Sequence, residues 1–596
     1  MFMKYNYIKG VTVAAGLLLA ASCTDFDDYN TAVVDELPAA NQTVLQNLEQ
    51  DPQQRFTNFV SLLKKSGFDS ELNSSHMYTL WAPLDGTYDA SVYQDLSVED
   101  LRQQFILNHV ADYIYRASGK IDNQKIEMLN KKKFVLSGNT SNYTFGELPL
   151  DSVNNANTNG LVHIIKGALE WRPNLYELAI DSVLQEGMNT DSLRNYFCRY
   201  HIMELDPSAS VLGPINEQGL QTYSDSVMVL KNELSSYMNV KFDREDSTYS
   251  FIMPTNTAWT KAYNQIRSNY NYIRRIDAQA FTTDASGKKT LAAENDSVIL
   301  KPEVLRDSLT RRMLVRGLVF NNNNPYNAWV EGTPSDKYGS DTILSTRNHK
   351  YSNGKDIMNY LQNKRKVSNG YIYTTDTLPF NIWECYVPEI SLSPGGRNLA
   401  MSKNNKSVTK YVRNSSSEKD PDSYYYYEST STKQELTFYL PEVKSHEYEL
   451  FIVLFPSYAT VDKQRVRRPN RFIAEMNYCD ENGELKTHKF LQENPDSMQA
   501  FMDAFNVKDN TSNFDRIRAF SNNVTKIDTI SLGRFAFPVC YSGLSDKKMI
   551  CPNIKLSSPY STANAAQKVA FTPDFRIAAI ILKPVEQVAD EDKNKQ

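Results

Sequence analysis

The chain has 596 residues, which allows about three or four domains of ordinary size. Its formal net charge is −5 and no basic block stands out, so nucleic-acid partners are not expected, because such binding needs a concentrated positive surface. Six cysteines without a C-x-x-C pair and seven scattered histidines argue against a disulfide framework, a metal site or a cofactor.

The first 22 residues are typical of a secretory signal peptide. Two lysines precede an uncharged run of small and apolar residues that is too short to span a bilayer. The sequence Ala20-Ala21-Ser22 followed by Cys23 resembles the lipobox of bacterial lipoproteins. This resemblance implies that Cys23 carries the lipid and becomes the mature N-terminus, whereas an ordinary peptidase site with an incidental cysteine is the alternative.

Three aspartates, Asp25, Asp27 and Asp28, follow the cysteine closely. Carboxylates do not enter a bilayer cheaply, so we expect a solvated, flexible tether over residues 23–50. The acidic run also resembles the export signal that sends Bacteroidetes lipoproteins to the outer face of the outer membrane. The chain is therefore predicted to be attached to the outer membrane by its lipid and exposed at the cell surface.

Ordered structure is predicted from near Arg55, where apolar residues recur at helical spacing up to Lys65. A strand ending in proline then occurs twice: YTLWAPLDGTYDA, residues 78–90, and YSFIMPTNTAWTKAY, residues 249–263, align at an offset of 171 residues. Each copy closes on an Asn-Gly turn and a strand, in NGLVHIIKGAL, residues 159–169, and NGYIYTTDTLP, residues 369–379. One internal repeat explains both correspondences, with an insertion in the second copy placed mostly in residues 265–305.

The strand and proline turn, the helix LRQQFILNHV ending at His109, and the closing NGLVHIIKGAL together resemble a fasciclin domain. The resemblance implies two α/β units in which a wedge of strands packs on short helices, over residues 51–173 and, in divergent form, 174–388. In the second copy, RRMLVRGLVF places Gly317 where the first copy has His109. We interpret His109 and His163 as buried structural residues, because no cluster of metal ligands accompanies them.

The sequence changes character beyond residue 388. Residues 391–420 are rich in Ser, Asn, Gly and Lys, which indicates a linker or long loops. Alternating and continuous apolar runs then predict a jelly-roll-like β-sandwich over 389–586, with a hairpin turn at 480–483 and a charged tail at 587–596. These strands resemble the module that follows fasciclin repeats in Bacteroidetes lipoproteins. The predicted fold class is therefore α+β multidomain: two fasciclin-like α/β domains followed by an all-β sandwich.

Two segments of the sandwich are candidates for ligand contact. The run Tyr424, Tyr425, Tyr426 and Tyr427 alternates between the two faces of a strand, so one pair would be core and the other exposed, where rings can stack on a sugar. An aromatic-rich strand without a ligand is the alternative. The basic stretch KQRVRRPNR, residues 463–471, is interpreted as a solvated loop, or alternatively as a contact for an acidic partner.

The chain carries no nucleophile elbow, phosphate loop, H-E-x-x-H or dinucleotide motif, and we predict that it is not an enzyme. The predicted function is a surface lipoprotein that binds a glycan, a peptide or a partner protein. The family resemblance implies an accessory of a SusC/SusD-type nutrient importer. A free-standing adhesin, a purely structural component, and a carbohydrate hydrolase with carboxylates in the C-terminal domain are alternatives. Whether Cys540 and Cys551 pair is left open.

Overall fold

The computed structural model describes residues 41–140, 142–272, 281–283, 289–291, 302–327, 341–413, 421–461, 463–543, 552–559 and 565–593. The predicted signal peptide, Cys23 and the three aspartates after it lie outside these residues, as does Cys551. The chain divides into two compact units. Unit 1 contains residues up to 178 together with 242–247 and 366–370, and unit 2 contains the remainder. None of the described helices is long and apolar enough for a bilayer span.

The first repeat is built on one mixed sheet. Its elements in chain order are α1 (Val44–Glu49), α2 (Thr57–Lys65), α3 (Asp69–Leu72), β1 (Tyr78–Pro83), α4 (Ser91–Gln94), α5 (Val98–Leu101), a π-helix (Arg102–Ile106), β2 (Val110–Asp112), β3 (Ile121–Glu127), β4 (Lys133–Asn139), β5 (Asn142–Phe145), β6 (Leu148–Asn157) and β7 (Gly160–Ile165). The strand order is β2-β1-β7-β6-β5-β4-β3, in which only β1 and β7 run parallel among these neighbours.

Strand β1 is buried along its whole length, because each face of it packs on a different core. Leu80 and Ala82 belong to the core shared with α2 and the π-helix. Trp81 points to the opposite face and stacks on Phe145, with ring centroids 4.1 Å apart. Burial on both faces explains why this strand is a continuous apolar run in the sequence and does not alternate.

The first repeat begins earlier than predicted, at helix α1. Thr43 caps this helix by accepting a hydrogen bond from the backbone N–H of Gln46, whose side chain bonds back to the backbone of Thr43. Val44, Leu45 and Leu48 are buried in the core of the repeat. The predicted tether over residues 23–50 is therefore wrong at its C-terminal end: three apolar residues within the polar leader are enough to fix a short helix onto the core.

The second repeat starts at α6 and ends before residue 389. Its elements are α6 (Leu175–Ile180), α7 (Asp191–Cys198), β8 (His201–Leu205), β9 (Val211–Ile215), β10 (Gln221–Asp225), β11 (Met228–Asn232), α8 (Glu233–Met238), β12 (Tyr249–Pro254), α9 (Asn256–Arg267), β13 (Phe281–Thr283), β14 (Lys289–Leu291), α10 (Pro302–Val315), β15 (Val319–Asn321), β16 (Ile343–Leu344), β17 (Lys350–Tyr351), α11 (Gly354–Asn359), β18 (Gln362–Val367), β19 (Gly370–Thr375) and α12 (Ile382–Cys385). The insertion predicted within residues 265–305 lies largely outside the described residues.

The two repeats share strand order and register. The second sheet is ordered β15-β12-β19-β18, which matches β2-β1-β7-β6 of the first. Tyr78 pairs with Asp112 in the first sheet, and Tyr249 pairs with Asn321 in the second. The predicted offset of 171 residues between β1 and β12 is therefore confirmed.

The same register corrects the residue that replaces His109. The N–H of Trp81 donates to the carbonyl of His109, and the N–H of Ile252 donates to the carbonyl of Leu318, so Leu318 and not Gly317 takes the histidine position. Gly317 has a separate role, because a Cβ there would collide with the Tyr351 hydroxyl and the Cys385 thiol. The alignment of the two copies from sequence was one residue out of register here, because the second copy has no histidine that could be aligned with His109.

The C-terminal region forms two antiparallel sheets. Its elements are β20 (Ile390–Leu392), β21 (Leu399–Lys403), β22 (Asn405–Val412), β23 (Ser423–Ser429), β24 (Glu435–Tyr439), β25 (Glu447–Leu454), β26 (Tyr458–Val461), β27 (Gln464–Arg467), β28 (Arg471–Cys479), β29 (Leu485–Phe490), α13 (Pro495–Phe505), α14 (Phe514–Ile517), β30 (Phe520–Ser521), β31 (Asp528–Ala536), β32 (Asn553–Ser557), α15 (Ala565–Ala570), β33 (Phe575–Pro584) and α16 (Val585–Lys593). One sheet is ordered β22-β23-β33-β25-β31, with β20 also paired to β33, and the other β21-β24-β32-β28-β29, with β30 paired to β28.

Aromatic contacts join the inner faces of these sheets into a sandwich. Tyr427 of β23 contacts Phe438 of β24, and Phe575 of β33 contacts Phe472 of β28, with ring centroids 5.8 and 6.0 Å apart. The hairpin predicted at 480–483 is confirmed by antiparallel pairing of β28 with β29. Jelly-roll-like connectivity stays a prediction.

Three boundary predictions for this region need correction. Residues 390–392, 399–403 and 405–412 form strands, so most of the described part of 391–420 is not a linker, because polar residues suit the solvent-facing edges of a sheet. The charged tail predicted at 587–596 is helical up to Lys593, since Val588 is buried and Glu591 pairs with Lys583. The predicted boundary after residue 388 falls inside unit 2.

Candidate ligand-binding surface

The four consecutive tyrosines of β23 alternate between the faces of their sheet. Tyr425 lies opposite Ile577 and Tyr427 opposite Phe575, so both belong to the inner face. Tyr427 is fully buried and its hydroxyl donates to the carbonyl of Pro394. The ring of Tyr425 lies so close to Gly395 that a Cβ at that position would collide with it. These contacts assign Tyr427 to the core and leave Tyr425 half-buried.

Tyr424 and Tyr426 face outward and join three other rings. Tyr411 of β22 lies opposite Tyr424, and the two rings stack with centroids 5.3 Å apart and planes at 21°. Phe455 also contacts Tyr424, with ring centroids 4.6 Å apart. We name Tyr411, Tyr424, Tyr426, Phe455 and Tyr458 the aromatic surface. Tyr411 keeps 45% of its surface exposed, so a flat ligand can reach it.

Arg576 of β33 lies among these rings. It is the cross-strand partner of Tyr426, on the same face of the sheet. Its guanidinium carbon lies 5.5 Å from the ring centroid of Tyr424, 5.2 Å from that of Tyr426 and 4.6 Å from that of Tyr458. Such cation–π contacts stabilise a guanidinium that neighbouring strands have removed from water.

Part of the basic stretch 463–471 borders this surface: Gln464–Arg467 form strand β27 of a hairpin and not the predicted loop, although most of these residues are exposed to solvent as predicted. Strand β26 pairs antiparallel with β27, and Tyr458 lies opposite Arg467. The guanidinium carbons of Arg465 and Arg467 lie 4.5 and 6.0 Å from the ring centroid of Tyr458. Both arginines are exposed.

Arg471 at the end of this stretch has a different role. It is buried, donates hydrogen bonds to the carbonyls of Arg516 and Ile517, and lies 3.7 Å from the ring centroid of Phe501. Burial lowers the pKa of Arg471 to about 10. It is a structural residue of the sandwich and does not take part in the ligand surface.

Asp574 positions one of the tyrosines. Its Oδ2 accepts a hydrogen bond from the Tyr426 hydroxyl at 3.0 Å, and its Oδ1 accepts one from the backbone N–H of Ser429 at 2.8 Å. Burial raises the pKa of the Asp574 carboxyl, and burial together with this carboxylate raises the pKa of Tyr426. Because both oxygens already bind protein groups, the geometry favours a supporting role for Asp574 over a catalytic one.

Two cavities lie away from the aromatic surface. An open cleft of about 1020 Å³ borders β29 and β31 and is lined by His488, Glu493 and Asp496 among others. Both carboxylates are exposed, as ordinary surface carboxylates are, so they do not single out this cleft as the site of the hydrolase alternative.

The second cavity, of about 470 Å³, lies in unit 1 and is lined by four cations. Each cation already has a carboxylate partner: Lys132 binds Glu177 and Glu245, Lys133 binds Asp246, Arg172 binds Glu170 and Lys366 binds Glu147. The positive charges are neutralised within the protein. We therefore regard this cavity as a weaker candidate than the aromatic surface.

The two histidines of the first repeat are buried, as predicted. His109 accepts a hydrogen bond at Nε2 from the N–H of Leu169 at 2.9 Å, and its Nδ1 lies 2.7 Å from the carbonyl of Phe105. His163 contacts the carbonyl of Tyr115 at 2.8 Å. Burial lowers the pKa of each histidine to about 4. Among the described residues, no group of three His, Cys, Asp or Glu side chains is arranged to hold a metal ion.

Sequence reasoning identified β23 but missed Arg576 and Tyr411. One sequence feature points to Arg576: it is a single charged residue inside the otherwise apolar run FRIAAIIL, and a charge is unusual in a buried strand. Tyr411 lies in a polar stretch, KYVRN, that gave no reason to expect a strand next to β23. The cross-strand neighbours in this sheet lie 13 to 152 residues apart in the sequence. They cannot be matched with one another until the order of the strands is known.

Comparisons with known proteins identify one part of the chain. Residues 54–170 match the model of the fasciclin domain family, which confirms the resemblance of the first repeat. No curated protein matches the chain. The solved structures that match include a FAS1 domain pair from the insect cell adhesion molecule fasciclin I, with 10% identity over 56% of this chain and 99% of that chain and a TM-score of 0.20.

Two further solved structures match parts of the chain. The insecticidal crystal protein Cry2Aa has 11% identity over 36% of this chain and 24% of that chain, with a TM-score of 0.16. The enzymatically active domain of tailspike protein 4 from bacteriophage CBA120 has 6% identity over 31% of this chain and 18% of that chain, with a TM-score of 0.14. Because all three TM-scores are low, the assignment of residues 54–170 rests on the family model alone.

Proposed function

We propose that this protein is a non-catalytic binding protein of the cell surface, and that the aromatic surface of its sandwich binds a glycan. The Tyr411 ring carries this proposal, because it is 45% exposed and stacks on Tyr424, which holds it in place as a platform for the apolar face of a pyranose. The fasciclin domain at residues 54–170 supports a binding role, since that family is a non-catalytic domain associated with cell adhesion.

The location that we propose is the outer membrane, with a lipid on Cys23 as the anchor. The lipobox-like sequence and the aspartates after it support this part of the proposal. A Cys23→Ala variant is expected to leave the membrane fraction, and mass spectrometry of the mature wild-type protein is expected to show an acylated N-terminal cysteine. An unacylated N-terminus in the wild type would contradict the anchor.

The partner that we propose is a SusC/SusD-type importer, for which the protein would be an accessory. Attachment near a transporter raises the effective concentration of a captured glycan at the transporter without any new contact. Affinity purification of the native lipoprotein from detergent-solubilised outer membranes tests this role. Recovery of an importer barrel supports it, whereas glycan binding without any recovered barrel favours a free-standing adhesin.

Glycan binding itself is tested by titration calorimetry of the full chain with oligosaccharides of pyranose sugars. Tyr411→Ala removes the contact ring and Tyr424→Ala removes its support, so each is expected to weaken binding by about tenfold or more. Tyr360→Ala, at another half-exposed tyrosine of unit 2, is the matched control and is expected to leave the affinity unchanged. Equal binding by all three variants would place the ligand elsewhere.

A further inference from the structure

Arg576 is a buried cation in the middle of the aromatic surface. Only 8% of its surface is exposed, and three tyrosine rings lie within 5.5 Å of its guanidinium carbon. Its Nε is buried and has no hydrogen-bond partner. A buried donor without a partner costs free energy, so the site retains unused capacity to bind an acceptor.

No carboxylate in the described part of the chain neutralises this cation at ion-pair distance, which is 4.0 Å or less. The nearest candidate is Asp574, two residues earlier in the chain. Its oxygens accept hydrogen bonds from the Tyr426 hydroxyl and the Ser429 backbone. Arg576 therefore has tyrosine rings as its direct contacts, and the Asp574 carboxylate attracts it from beyond ion-pair distance.

Arg465 and Arg467 increase the positive charge at the same place. Together with Arg576 they bring three guanidinium groups within 6.0 Å of the ring centroid of Tyr458. Like Arg576, neither has an ion-pair partner among the described residues. The cavity of unit 1 is the opposite case, because each of its four cations is paired with a carboxylate.

Planar guanidinium groups bind carboxylate and sulfate oxygens through paired hydrogen bonds, and they do so best where water is excluded. Tyrosine rings next to them supply an apolar contact. On these observations, and resting on the proposed glycan binding, we propose that the ligand of the aromatic surface is an acidic saccharide. Its pyranose ring lies on Tyr411, which Tyr424 supports, and its uronate or sulfate group is bound by Arg465, Arg467 and Arg576.

The proposal is tested by titration calorimetry with three probes: oligogalacturonate, its methyl ester, and a chondroitin sulfate oligosaccharide. The methyl ester keeps the pyranose rings and removes the charge. The full chain is expected to bind one of the two acidic probes about tenfold or more tightly than the ester, with an affinity that falls as salt is raised. Preference for oligogalacturonate identifies a uronate as the charged group, and preference for chondroitin sulfate over both oligogalacturonate and unsulfated chondroitin identifies a sulfate.

The double variant Arg465→Gln/Arg467→Gln is expected to lose most of this preference, because both side chains are exposed and their removal leaves the core intact. Arg199→Gln, at an exposed arginine elsewhere in unit 2, is the control. Equal affinity for the ester and both acidic probes overturns the charge proposal and leaves glycan binding standing. Binding of none of the three probes overturns both.

Discussion

Asn369 makes in the second repeat the same three hydrogen bonds that Asn159 makes in the first. Asn159 accepts at Oδ1 from the N–H of Val44, the first residue of α1, and donates from Nδ2 to the carbonyls of Leu72 and Ser74. Asn369 accepts from the N–H of Leu175 at 2.9 Å and donates to the carbonyls of Phe242 and Arg244 at 2.7 and 3.1 Å. Each asparagine fixes the first helix of its repeat to the closing turn.

We predict that Asn159→Ala and Asn369→Ala each destabilise the protein by about 2–4 kcal/mol, because each leaves one buried N–H and two carbonyls without a partner. The measurement is the free energy of unfolding from urea titration. Asn195→Ala, at an exposed position of α7, is the control and is expected to change stability by less than about 0.5 kcal/mol. An Asn159→Ala variant as stable as the control would show that these bonds do not hold the repeat.

The recurrence of Asn-Gly in the sequence predicted this turn but not what the asparagine does. The hydrogen-bond partners of Asn159 lie 85 to 115 residues away along the chain, so no local sequence pattern indicates them. For the same reason helix α1 was missed. Its six residues show little periodicity alone, and it becomes recognisable only through its bond to Asn159 and its burial against the core.

Acid is expected to destabilise the first repeat through its buried histidines. The folded-state pKa of His109 and of His163 is about 4, against about 6.5 for an exposed imidazole, so the unfolded chain binds more protons between these values. Each neutral histidine makes its full contribution to the free energy of unfolding above pH 6.5, and this contribution is lost as the pH falls towards 4. Each loss amounts to up to about 3 kcal/mol.

The measurement is the free energy of unfolding at pH 7 and at pH 4.5 for the wild type and for His109→Gln. Acidic side chains also titrate in this range, so the informative quantity is the difference between the two proteins. The variant is expected to lose less stability on acidification than the wild type. Parallel pH profiles would mean that His109 is not buried in its neutral form.

A buried ion pair in unit 1 is expected to be sensitive to the loss of one partner. The Lys132 ammonium lies 2.7 Å from Glu177 and 3.3 Å from Glu245, and the side chains of Lys132 and Glu245 are 4% and 5% exposed. Burial raises the pKa of Glu245, which the Lys132 charge opposes. Lys132→Met leaves a buried carboxylate unpaired and is expected to cost about 3–5 kcal/mol.

The neighbouring residue Lys131 provides the matched control for this substitution. Its side chain is 78% exposed and its ammonium pairs with Glu127 at 3.3 Å, so Lys131→Met is expected to cost less than about 1 kcal/mol. Thermal unfolding of the two variants gives the comparison. Equal melting temperatures would show that Lys132 is solvated and that its ion pairs contribute no more than a surface pair.

The contact between Tyr425 and Gly395 is expected to be sensitive to a single added carbon. A Cβ at residue 395 would overlap the Tyr425 ring, so Gly395→Ala should displace β23 and with it Tyr424 on the opposite face. We expect a loss of stability of about 1–3 kcal/mol together with weaker glycan binding. The double variant Gly395→Ala/Tyr425→Ala removes the overlap and should recover part of both. If adding Tyr425→Ala to Gly395→Ala improves neither the stability nor the glycan binding, the close contact between the Tyr425 ring and Gly395 is contradicted.

The candidate site was only half predictable from the sequence. Alternation along β23 assigned Tyr424 and Tyr426 to one face, because period-two geometry is a property of any strand. The arginines were assigned to a solvated loop, because nothing local distinguishes the exposed Arg465 from the buried Arg471 six residues later. Whether each arginine is exposed or buried depends on the elements that its side chain faces, and the order of strands in the sheet decides which elements those are.

The most direct test of the account is a crystal structure of the full chain with oligogalacturonate bound. The account predicts a pyranose ring within about 4 Å of Tyr411 or Tyr424 and a carboxylate at hydrogen-bond distance from Arg465, Arg467 or Arg576. A saccharide bound in the cleft beside His488, with the aromatic surface unoccupied, would contradict it.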